Sequence, residues 1–74
     1  MDYKARLTSS PEVLLGKPVI KNTRIAVDFI LDRLGEGMSI EHILEAYPSI
    51  EKEDILACIS YSSDVISRES LLAS

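Results

Sequence analysis

Gly16-Lys17-Pro18-Val19-Ile20-Lys21-Asn22-Thr23-Arg24-Ile25 is the stretch whose reading decides the fold of this 74-residue chain. Pro18 has no backbone N–H to give to a ladder, so Val19-Ile20 should begin a strand or lie at a sheet edge. Lys21-Asn22 then reads as a two-residue turn, with Thr23-Arg24-Ile25 as the returning side of a hairpin. Asn22 is the expected pivot, because Asn tolerates the left-handed backbone region that such a turn demands. Everything after this stretch reads as acidic helix, so it divides an extended N-terminal arm from a helical body.

Working outward toward the C-terminus, Val27, Ile30, Leu31 and Leu34 recur at the spacing of one helical face and predict a first helix from Ala26 to about Glu36. Asp28, Asp32 and Arg33 face outward in that register, and Gly35 and Gly37 supply its end. Ser39 is a good N-cap for a second helix, with Met38 and Ile43 placed to form a hydrophobic staple. Ile40, Ile43, Leu44 and Tyr47 form its buried stripe until Pro48 stops it. Pro48-Ser49-Ile50 connects to a third helix beginning near Glu51, with Ile55, Ile59, Ser62 and Ile66 tracking inward. Glu51, Glu53 and Asp54 fill its first turn, where the helix dipole favours carboxylates, although Glu51 is a weak cap. Past Ser63 the pattern fades, leaving Val65, Leu71 and Leu72 either to pack on a partner or to fray.

Toward the N-terminus, residues 3–8 alternate as a short strand would, with Tyr3, Ala5 and Leu7 on one face. Ser9-Ser10-Pro11-Glu12 is expected to open a brief helical turn that Gly16 ends. The expected fold is mainly α, a three-helix bundle with a short N-terminal strand or hairpin arm. One domain spans 1–74, divided into an extended or hairpin arm (1–25), the bundle (26–68) and a tail (69–74).

Composition narrows the function. A chain this short buries only roughly 60% of its unfolded surface. Hydrophobic residues make up 46% of it with one Phe, three Tyr and no Trp, so the core must be aliphatic and apolar surface is left for a partner. A homodimer built by the arm is the expected way to cover it. The single cysteine, Cys58, excludes an intramolecular disulfide and a zinc site of cysteine pairs. No secretory leader and no apolar run of the ~20 residues that span a bilayer is present, so the expected compartment is the cytoplasm, without membrane contact.

Net charge is −4, but its distribution matters more than its sum. Residues 1–24 hold five cations against two carboxylates, and residues 25–74 hold three cations against ten carboxylates. An acidic partner should therefore meet the arm. Arg6, Lys17, Lys21, Asn22 and Arg24 are the candidate partner- or nucleic-acid-binding residues. The simpler role for Lys17 and Lys21 is protection of a sheet edge, and for Arg24 a pair with Asp28.

No nucleophile and base pair, phosphate loop or metal-ligand spacing is present, so neither enzymatic activity nor a cofactor is expected. His42, beside Glu41 and Glu45, reads as a surface residue rather than a pH switch. Cys58 reads as a small buried hydrophobe rather than a redox sensor. The paired carboxylates Asp28 with Asp32 and Glu53 with Asp54 read as solvated helix surface.

Gly16-Lys17-Pro18-Val19-Ile20-Lys21 with Thr23-Arg24-Ile25, followed by Gly37-Met38-Ser39, Tyr47-Pro48 and Glu53-Asp54-Ile55, resembles domain-of-unknown-function family 433 from about Arg6 to Ser62. The position of Asn22 is usually Gly in that family, and that of Glu51 usually Thr or Ser. The resemblance implies a homeodomain-like helix-turn-helix core in a small bacterial protein. It further implies the antitoxin half of a toxin-antitoxin pair, whose partner is a PIN-like nuclease toxin. DNA is the alternative partner, bound by a transcriptional regulator. A recognition helix starting Glu51-Lys52-Glu53-Asp54 would meet phosphate with the wrong charge, which leaves paired basic hairpins for DNA. A structural dimerisation module is the third reading.

Overall fold

The computed structural model describes residues 2–68, and the expected tail at 69–74, with Leu71 and Leu72, lies outside the described residues. Three helices follow a two-stranded antiparallel sheet, giving the mainly α architecture expected: β1 (Leu7–Thr8), β2 (Val19–Ile20), α1 (Val27–Gly35), α2 (Ile40–Ala46) and α3 (Lys52–Ser67). β1 pairs with β2 in the register Leu7 to Ile20 and Thr8 to Val19. Leu7 and Ile20 point into the body and join Val27, Ile30, Ile43, Ile50, Ile55, Ala57 and Cys58 in one aliphatic core. The sheet thus closes the bundle instead of standing away from it. Both strands of the expected arm are packed on their own bundle, with Leu7 and Ile20 turning their apolar side inward.

Three local expectations change. Tyr3–Ala5 form a 3₁₀ turn rather than strand, since the Asp2 carboxylate accepts from the Lys4 N–H and Arg6 N–H returns to the Tyr3 carbonyl at 3.0 Å. Ala5 is consequently exposed, while Tyr3 lies edge-on against Tyr61 and donates its hydroxyl hydrogen to Asp64. The expected helical turn after Ser9 is replaced by a tight turn in which Val13 N–H reaches the Ser10 carbonyl, followed by a left-handed 3₁₀ turn at Leu14–Gly16.

The pivot at Asn22 is as expected, with φ of 64°, but the return differs. The Thr23 hydroxyl donates to the Ile20 carbonyl at 2.7 Å and accepts from Ile25 N–H at 2.9 Å. That side chain takes the place of a ladder bond inside the loop of residues 21–24, and the return is bonded where Ile20 N–H meets the Ile25 carbonyl and Val27 N–H meets the Pro18 carbonyl. The regular partner of β2 is therefore β1, with a single further bridge from Val19 to Ala26.

α1 and α2 fall within a residue of their expected limits, and α3 starts as expected but runs on to Ser67, past Ser63 where the sequence pattern fades. Ser39 caps α2 by accepting from His42 N–H at 3.1 Å. α3 starts more firmly than Glu51 suggests, because Asp54 accepts from Glu51 N–H at 2.8 Å and so satisfies an otherwise unpaired donor. Its inward face is rotated from the expected stripe: Ile55, Ala57 and Cys58 are buried, while Ile59 is 41% and Ile66 62% exposed. Apolar residues lie on both sides of this helix, and periodicity alone allowed either register.

Candidate cleft beside the left-handed turn

The site is built by a break in regular structure. Leu14, Leu15 and Gly16 have φ of 48°, 58° and 87° in succession. Glycine takes this conformation freely, whereas each leucine there gives up roughly 1–2 kcal/mol. The turn holds Leu14 40% and Leu15 96% exposed, so this strained geometry is not offset by burial within the chain. Opposite stands the outer side of α1, where Phe29 meets Tyr47 edge-on with ring centroids 5.4 Å apart. Arg33 lies over the Phe29 ring at 4.6 Å and is held by Glu36 at 2.8 Å, which also raises its pKa. These contacts fix the aromatic wall.

Between turn and helix lies an open cleft of about 670 Å³. Leu14, Leu15, Ile25, Phe29 and Tyr47 supply its apolar lining; Lys17, Arg24, Asp28 and Asp32 supply its charge. Lys17 pairs with Asp28 at 3.0 Å, both well exposed. Arg24 and Asp32 make no ion pair among the described residues.

The five residues singled out from sequence are thereby divided. Arg6 is held by its own bundle: its Nη1 lies 3.0 Å from Asp54 and 3.4 Å from Glu51. The hydrogen bond to Asp54 raises its pKa. Asp54 is only 8% exposed, so the pair ties the arm to the start of α3. Lys17 is engaged by Asp28, the residue that had seemed a partner for Arg24. Asn22 shapes the loop, and Lys21 and Arg24 stand exposed on either side of it, without ion pairs among the described residues.

Leu14, Leu15, Phe29, Asp32 and Tyr47 had not been singled out as site residues. A Leu-Leu pair beside Gly16, belonging to no apolar stripe, was the available signal. His42 is exposed, as expected. Cys58 is wholly buried, and loss of hydration pushes its thiol up to about 11, which keeps it protonated and unreactive. No helix among the described residues is long and apolar enough to cross a membrane.

Comparison with known proteins places these features in context. The chain is similar to uncharacterized protein y4eO of Sinorhizobium fredii (strain NBRC 101917 / NGR234), with 39% identity over 56 residues. That match covers 76% of this chain but spans only a quarter of the relative's length, 25%. A 2.00 Å crystal structure of a DUF433 member protein from Anabaena variabilis ATCC 29413 superposes with a TM-score of 0.77 at 29% identity. The superposition covers 80% of this chain and 58% of the other. The family model described as "Protein of unknown function (DUF433)" matches residues 7–62, and the chain belongs to that family.

Proposed function

We propose that this chain is a non-catalytic binding protein, the antitoxin of a toxin-antitoxin pair, that is a homodimer when free and neutralises a small PIN-like nuclease. The observation that carries the reading is the pair of exposed cations Lys21 and Arg24, without ion pairs among the described residues, beside an apolar cleft. A PIN-like nuclease holds its magnesium ions with clustered carboxylates. A guanidinium inserted among them makes two parallel charged hydrogen bonds and displaces metal or substrate. The cleft adds the apolar contact that holds such an insertion in place.

A protein partner is favoured over duplex DNA by the same residues. Arg6 and Lys17 are already neutralised by Asp54 and Asp28, so fewer cations remain for phosphates than the sequence count suggests. A helix-turn-helix reading through α3 meets exposed Glu51 and Glu53 at the helix start. The test is to identify the product of the adjacent gene, co-purify it with this chain and, where it is a PIN-like nuclease, titrate its inhibition. R24A should weaken inhibition more than K52A, and equal effects would remove the mechanism.

A further inference from the structure

The cleft between the left-handed turn and α1 is apolar along its lining and carries both signs of charge. Leu15 is almost wholly exposed there, beside the partly exposed Leu14 and across from the aromatic pair of Phe29 and Tyr47. Lys17 and Asp28 satisfy each other, whereas Arg24 and Asp32 are both exposed and unpaired among the described residues. A surface that offers apolar side chains, a carboxylate near Arg24 and a cation near Asp32 complements the cleft. This chain presents that combination at this same place. A two-fold axis makes the requirement reciprocal, since each contact between unlike residues then occurs twice. Charge selects the patch as well: two copies of a −4 chain repel over most of their surfaces, while the two cations and two carboxylates of the cleft cancel.

We propose that a second copy of this chain covers the cleft in a two-fold homodimer. Arg24 of each protomer pairs with Asp32 of the other, and Leu14 and Leu15 of each are buried on the other's Phe29 and Tyr47. This specifies the interface of the homodimer named above as the free form; it rests on the same Arg24 and cleft as the nuclease reading, so the nuclease takes the place of the second copy.

Sedimentation equilibrium of the 74-residue chain alone tests it, with R24D, D32R and the double variant R24D/D32R. Both positions are exposed, so far-ultraviolet circular dichroism should show the fold unchanged. The parent chain should dimerise, and each single reversal should weaken the dimer by roughly tenfold or more through like-charge contact. The double variant should recover to within about threefold of the parent, because the reversed charges again meet their opposites. A parent chain that stays monomeric overturns the proposal. So do single reversals that leave the dissociation constant unchanged, or a double variant no better than the singles. Lys21 lies outside the cleft, so K21A should leave the dissociation constant unchanged while weakening nuclease inhibition, and this separates failure of the dimer from failure of the nuclease reading.

Discussion

Replacing Leu15 with Gly should stabilise the folded chain while weakening its self-association. Leu15 sits at φ 58° and ψ 32°, where an L side chain forfeits roughly 1–2 kcal/mol that glycine does not. At 96% exposure the side chain contributes almost no burial within the monomer, so little is lost by removing it. Against the relief stands the larger freedom of glycine in the unfolded chain, about 0.4–1 kcal/mol. The balance ranges from about zero to ~1.6 kcal/mol and centres on a gain of about 0.8 kcal/mol, which in a domain of this size raises the melting temperature by about 3–6 °C. Urea and thermal unfolding should be measured at a dilution where the chain is monomeric, because dimerisation adds its own concentration-dependent stability. L15A is the necessary control. Alanine removes the same exposed side chain but keeps the left-handed penalty, so its stability should stay within about 0.5 kcal/mol of the parent. An L15G variant no more stable than the parent, or an equal gain in L15A, would refute the strain argument.

Asn22, at φ 64°, should accept Gly with a change within about 0.5 kcal/mol, whereas N22V should lose at least about 1 kcal/mol, both read from urea midpoints. Cys58 should resist thiol reagents at neutral pH in the folded chain and react once the chain is unfolded. Its folded pKa of about 11 lies above its ordinary 9.0, so the unfolded chain releases the proton first as pH rises. Its contribution to stability is therefore complete below about pH 9 and is lost as pH climbs through 11, a decline that denaturant titrations of C58A should show reduced.

The helices were legible because their signals are local. Val27, Ile30, Leu31 and Leu34 define one face of α1 whatever else the chain does, and Ser39 and Pro48 bound α2 by capping and by the missing N–H. Asn22 was legible for the same reason, since its left-handed geometry is a property of one residue. α3 was less so, because Ile59, Val65 and Ile66 give it a second apolar side and only packing chose between the two. The site was hardest to foresee. Counting cations placed it on the arm, but a count cannot tell which cations are already paired: Arg6 and Lys17 meet carboxylates 48 and 11 positions away.

By itself, then, the sequence determined three helices, the limits of α1 and α2, the start of α3 and the left-handed pivot at Asn22, which follow from interactions within a few residues, and the opposite charges of arm and body, which follow from composition. Only the tertiary structure decided that β2 pairs with β1, that Arg6 belongs to Asp54, and that Leu14 and Leu15 stand exposed opposite Phe29 and Tyr47. Those outcomes depend on which distant groups compete for the same space and the same charge, and that competition is settled only when the whole chain closes around its aliphatic core.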